Sequence, residues 1–337
     1  MDQSAEAERP ISPAVQRSGI LRWARWNALQ IGIVVVALFI WALFLVGSPM
    51  TFMRYDIYNS LMITTPYFAM IALPLTLVII AAEIDLSFPS IMAWGMTGFD
   101  LMFLATGSIY LSFIACLLAG LLAGWLNGYI VVRIGIPSLV ATLGTSFFWA
   151  GAVILVTNAQ GQGLTSVSNT FLYHALVGRI GGRVPMQFLW MIAIAIVVWF
   201  LLNRTRFGAH VYLVGDNVDS ARLMGVNVDR IKITVFAIVG VTAAFAGCIQ
   251  SLDLLFFWPT LGGGYLLNTL AAVFLGGTSV FGGMGTIFGT FVASFIINII
   301  NPGIVAVGLT GYWTQVIYGL IIVVSVSLQA LLRRRFV

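Results

Sequence analysis

Residues capable of chemistry are few in this 337-residue chain, and they gather in three places. The first is Glu83-Ile84-Asp85-Leu86-Ser87-Phe88-Pro89, set between two strongly apolar runs. If those runs cross a membrane, carboxylates between them are costly unless they reach interfacial water or line a wet cavity. Two uses compete here. Asp85 and Ser87 could cap the helix that Pro89 opens, with Glu83 reaching cytoplasmic water. Alternatively, Asp85 and Ser87 could touch a solute on its way across.

The second place is glycine-rich: Gly262-Gly263-Gly264-Tyr265, then Asn268, then Gly276-Gly277-Thr278-Ser279 and Gly282-Gly283-Met284-Gly285. No Gly-Lys-Ser/Thr ending follows, here or elsewhere, so a nucleotide-phosphate loop is unsupported. Glycines around Thr278 and Ser279 fit a break between two half-helices, where free backbone groups and hydroxyls line a cavity. Asn268, Thr278 and Ser279 are therefore expected beside a solute path.

The third place, residues 203–230, is the most charged stretch of the chain. Asn217 is a good N-cap, Asp219 complements the positive helix start, and Gly225 can take the left-handed closing conformation. A helix of two turns does not persist alone in water. Leu223 and Met224 would stand on it as exposed apolar side chains, which suits docking into a partner's groove; a solvated loop helix is the competing reading.

Other chemistries lack their parts. His174 has no second His, Cys or carboxylate near it to complete a metal set. Cys116 and Cys248 fall inside apolar segments and read as small packing residues. An intramembrane enzyme would need a convergent nucleophile and base, which two distant histidines and two apolar-flanked cysteines do not supply.

The elements that position these residues follow from composition. Sixty per cent of residues are hydrophobic and 8 per cent are charged, against about 25 per cent charged in soluble domains. A span needs about 20 apolar residues. Ten segments qualify as helices: 28–47, 58–81, 89–105, 109–132, 137–157, 186–202, 231–252, 265–281, 285–301 and 312–332. Numbering their connections alternately puts Arg9, Arg17, Arg22, Arg25, Arg133, Arg204, Arg206, Arg222, Arg230, Lys232, Arg333, Arg334 and Arg335 on one side. Only Arg54, Arg179 and Arg183 fall on the other. Basic residues beside short loops stay in the cytoplasm during insertion. The fold class is thus an all-α integral membrane protein of about ten segments, some short or broken, with both termini cytoplasmic.

The chain divides into a cytoplasmic tail (1–27), a transmembrane domain (28–332) and a basic cytoplasmic end (333–337). The run Arg22-Trp23-Ala24-Arg25-Trp26 reads as an interfacial belt, and no cleavable signal peptide is visible. The net charge of +5 resides in cytoplasmic anchors that meet anionic lipid headgroups, not nucleic acid. Gly120, Gly124 and Gly128 form a smooth stripe on one helix face, and Gly285 with Gly289 repeats it, for close packing within the bundle or between subunits. Pro66 and Pro74 lie inside the second span and are expected to kink it. Loop 158–185 faces outward and loop 203–230 inward.

Three motifs in register carry a resemblance. Ile84-Asp85-Leu86-Ser87 is the first. The second is the stretch Asn203-Arg204-Thr205-Arg206-Phe207-Gly208 with Gly215, Asn217, Ala221-Arg222-Leu223 and Gly225-Val226-Asn227-Val228. The third is Leu275-Gly276-Gly277-Thr278-Ser279 with Gly282-Gly283 and Gly285. Over residues 55–330 the chain resembles the permease subunit of bacterial ATP-binding-cassette importers for ribose, galactose, arabinose, xylose and related compounds. The resemblance implies a multi-pass protein of the bacterial inner membrane that pairs with a second permease copy or paralogue. It implies two cytoplasmic ATPase subunits that hold the ATP and Mg, and a periplasmic solute-binding protein, with no cofactor and no catalysis on this chain. The helix at 217–225 would couple to the ATPase.

The departures are specific. Ala82-Glu83 and Phe88-Pro89 replace glycine-containing pairs, Tyr265-Leu266-Leu267-Asn268 lacks two usual acids, and Met284 and Thr286 stand at usually basic positions. They suggest a divergent member or the less typical half of a heterodimer. An ion-coupled secondary transporter is the alternative, with Glu83, Asp85, Asp100 or Asp253 carrying the ion.

Overall fold

The computed structural model describes residues 28–334; the tail, its aromatic-basic belt and the last three residues lie outside them. Helices dominate, because a backbone in lipid must satisfy its polar groups internally. In order they are α1 (Ala28–Gly47), α2 (Pro49–Phe52), α3 (Tyr55–Ile80), α4 (Phe88–Thr106), α5 (Ile109–Tyr129), α6 (Ser138–Thr157) and α7 (Phe171–Val177). They continue with α8 (Met186–Arg204), α9 (Arg206–Asp216), α10 (Val218–Leu223), α11 (Val228–Asp253), α12 (Leu266–Leu275), α13 (Ile287–Ala306) and α14 (Trp313–Arg334). A π-helical turn, Ile130–Ile134, extends α5.

Each of the ten expected segments holds one of these helices, and seven are long and apolar enough to cross a membrane. The expected segment 265–281 is corrected. Its helix α12 has only ten residues, about 15 Å against a hydrocarbon core of about 30 Å. Gly276 closes it and Gly277 follows at φ 87, a left-handed conformation that glycine adopts without strain. Non-helical chain runs from Leu254 to Tyr265 between α11 and α12.

The core is built on α3 and α11, the most buried of the spans. The glycine stripe of α5 is what brings α11 close. A Cβ on Gly120 would come within 2.4 Å of the Gly240 carbonyl oxygen, and one on Gly124 within 2.4 Å of the Phe236 carbonyl oxygen. In lipid no hydrophobic force drives helices together, so this backbone contact supplies the packing. Cys116 and Cys248 are buried and free. α3 runs unbroken through Pro66 and Pro74. α1, α5, α6 and α8 instead expose Phe39, Leu122, Phe147, Leu155 and Phe200, as apolar surfaces meeting lipid do.

Both ends of the bundle are closed by short devices. At the end carrying residues 158–185, β1 (Gln162–Gly163) pairs antiparallel with β4 (Phe256–Phe257), and β2 (Arg179–Ile180) with β3 (Val184–Pro185). There the Tyr55 hydroxyl donates to the Arg183 carbonyl at 2.7 Å, and Arg179 donates to Asn59 at 3.0 Å. At the opposite end, carrying residues 203–230, Thr205, Asn217 and Asn227 cap α9, α10 and α11 through their side-chain oxygens. Arg133 meets Asp229 at 3.4 Å there. Among the described residues, Arg133 and Arg222 thus lie at one end and Arg179 and Arg183 at the other.

Candidate functional site

Two breaks in the helical framework meet at the end of the bundle that carries residues 203–230. The first follows Ile80. Ala82 sits at φ 60, which lets the chain turn, and residues 81–87 then run between α3 and α4. The start of α6 holds this segment: Ser138 Oγ accepts from the Ile84 amide at 3.0 Å, and Thr142 Oγ1 from the Leu86 amide at 3.1 Å.

Within the segment, Asp85 and Ser87 are completely buried. Asp85 Oδ1 accepts from the Ser87 amide at 2.8 Å and from its hydroxyl at 2.6 Å. Asn127 of α5 donates to Ser87 Oγ at 2.6 Å. Burial pushes the Asp85 carboxyl up to about 6, against the two Ser87 bonds, which favour the charged form. Ser87 precedes α4 without capping it through its side chain, so the expected simple cap is replaced by a side-chain knot. Asp85 Oδ2 accepts no hydrogen bond. Pro89 does occupy the first turn of α4. The reading of Glu83 as reaching water is corrected: it is buried and paired with Lys232 of α11.

The second break spans Gly276–Thr286. Thr278 is completely buried, and its hydroxyl has no partner. Its carbonyl accepts from Gln329 of α14 at 3.1 Å. Ser279 is half-buried, and its hydroxyl accepts from the Phe281 amide at 3.2 Å, closing a local turn. Asn268 is half-buried on the first turn of α12. Gly289 packs on Gly276 so closely that a Cβ would meet the Gly276 carbonyl oxygen at 2.0 Å.

The charged segment locks onto both breaks. The Gly283 amide donates to the Ile80 carbonyl at 2.9 Å. A Cβ on Gly215 would come within 1.6 Å of that same oxygen. The Tyr212 hydroxyl donates to the Gly285 carbonyl at 2.8 Å, and burial raises its phenol above the usual value. From this anchored base α10 projects. Asn217 Oδ1 accepts from the Ser220 amide at 2.8 Å, Asp219 lies in the first turn, and Gly225 follows at φ 79. Arg222 reaches Asp229 at 4.0 Å. Leu223 is 90 % exposed and Met224 67 %.

The structure thus joins the end of α3, the Gly282–Gly285 turn and α9–α10 into one unit, while Ser87, which holds Asp85, bonds to Asn127 of α5. Thr278 stands beside Ile80, since a Cβ on Gly285 would touch both side chains at 2.8 Å. Sequence reasoning missed Tyr212 and the Lys232–Glu83 pair. A lysine just inside an apolar segment, with one buried acid elsewhere, was the available signal.

The family described as branched-chain amino acid transport system / permease component matches residues 57–326. The ribose import permease protein RbsC of Escherichia coli (strain K12) is 31% identical over 282 residues, 83% of this chain and 87% of that protein. The autoinducer 2 import system permease protein LsrC of Photorhabdus luminescens is 32% identical over 264 residues, 78% of each chain. LsrC of Yersinia pseudotuberculosis serotype O:3 (strain YPIII) is 33% identical over 258 residues, 75% of this chain and 71% of that one. No solved structure matches.

Proposed function

The chain belongs to this family of ATP-binding-cassette importer permeases, and from that premise we propose that it passes a sugar-like solute across the inner membrane. The solute arrives from a periplasmic binding protein, and a separate cytoplasmic ATPase, holding ATP and Mg, supplies the energy. The similarity to import permeases for ribose and autoinducer 2 supports a small polar solute. Asn268 and Ser279, both half-buried, are the path residues of this reading. Asp85, Ser87 and Thr278 hold the shape of the two breaks beside it.

The observation that carries the proposal is the exposure of Leu223 and Met224 on a helix whose base is bonded to both breaks. Charged residues Asp219, Arg222 and Asp229 neighbour them, and a partner's groove would bury them. Burying a side chain of this size contributes about 1.5–3 kcal/mol, so loss of two weakens docking by several tenfold steps.

Replacing both with Asp tests this. Insertion of the spans is expected to persist, since the helix lies outside them. Co-purification of the ATPase and solute-stimulated hydrolysis are expected to disappear. Wild-type uptake by Leu223→Asp/Met224→Asp would remove α10 as the coupling element.

A further inference from the structure

The outer half of the bundle contains a polar cluster that neither break includes. Asp253 ends α11, beneath the non-helical segment 254–265. The Tyr67 hydroxyl donates to its Oδ2 at 2.5 Å, and Gln187 Nε2 donates to its Oδ1 at 2.9 Å. Gln250 Nε2 donates to the Tyr265 hydroxyl at 2.8 Å. The Tyr67 and Tyr265 rings lie 6.4 Å apart, and Tyr265 stacks on Phe68 at 6.4 Å. Four elements meet here: α3, α8, α11 and the residue preceding α12.

The cluster is built, yet incomplete. Gln187 is 1 % exposed and Gln250 5 %, and the amide oxygen of each is buried without a donor. The carboxylate fixes the Gln187 amide, because only its nitrogen can face Asp253. Its oxygen is left facing the interior, where an unmet acceptor is costly. Among the described residues no cation pairs with Asp253 within 4.0 Å. An anionic solute would be repelled there.

The geometry points to a binding station for a neutral polyhydroxylated solute, formed by Tyr67, Gln187, Gln250, Asp253 and Tyr265. This inference rests on the proposed solute-import function. Hydroxyls both donate and accept, so they meet the two amide oxygens and exchange with Tyr67 and Gln187 at the carboxylate. The tyrosine rings offer apolar surface to the carbon skeleton. Its place under segment 254–265 puts the station before the two breaks on an inward path.

The test uses the complete complex of permease, ATPase and binding protein in proteoliposomes. Labelled ribose, galactose, arabinose and xylose are supplied together with their singly deoxygenated analogues, and the sugar that the wild type takes up becomes the probe. In Gln187→Leu and Gln250→Leu, the preference for that sugar over one deoxy analogue is expected to fall about 5-fold, the weight of one hydrogen bond. The binding protein's own preference cancels when variant and wild-type ratios are compared. Gln250→Glu, equal in size, serves if a leucine variant does not assemble; it is expected to change the same ratio.

A loss equal for every solute would make the cluster a purely structural clamp and overturn the inference. So would uptake that depends on sodium or potassium and loses that dependence in the variants, which would mark a cation site. No uptake of any of these sugars by the wild type would overturn the underlying sugar-import reading as well. Wild-type uptake with unchanged ratios in the variants would overturn only this station.

Discussion

Lys232 shows how much a single side chain can hide in a sequence. Its position just inside an apolar segment reads as a cytoplasmic anchor, and Glu83 reads as a group reaching for water. The fold joins them, 149 residues apart, in a partly buried ion pair. No local pattern could reveal a partner at that separation, whereas the Asn217 cap and the Gly225 turn were legible because both are local. Breaking a partly buried pair strands the remaining charge, at a cost between the roughly 0–1 kcal/mol of an exposed pair and the roughly 3–5 kcal/mol of a fully buried one. Lys232→Met is therefore expected to lower the thermal unfolding midpoint in detergent clearly. Glu83→Gln/Lys232→Met should recover part of the loss. A single variant as stable as the wild type would mean that the pair does not hold the first break.

Among the elements, the glycine stripe of α5 was readable from its four-residue spacing, but its partner was not. Gly240 and Ala244 on α11 complete the seam, and only the crossing of two distant helices brings them together. Gly240→Val would drive a side chain into the Gly120 carbonyl, 2.2 Å from an added Cβ. Loss of the folded monodisperse species on gel filtration is the expected result. Gly144→Val, at a position with open space around it, is the control that should be tolerated unless a second subunit packs there. The shortness of α12 was only half legible. Apolar composition runs through residue 281, while two glycines end the helix at 275, and hydropathy averages over such a stop. The bonding of Asp85 and Ser87 was not legible for a similar reason. Asn127, whose amide draws Ser87 into a knot with Asp85, comes from another helix.

For the whole molecule, the sorting of basic residues predicted the two faces, and the structure groups Arg133, Arg222 and Asp229 at one end and Arg179, Arg183 and Tyr55 at the other. Cysteine labelling is expected to reach residues 158–185 from outside and 203–230 only from the cytoplasm. The reverse would turn α10 away from ATP. The central claim is that this chain moves solute only as the membrane part of an ATP-driven machine. Its most direct measurement is sugar uptake into liposomes holding either the permease alone under a proton or sodium gradient, or the full complex with internal ATP. Uptake is expected only in the second preparation and is lost when ATP is omitted. Uptake by the permease alone, driven by an ion gradient, would contradict it and make the chain a secondary transporter.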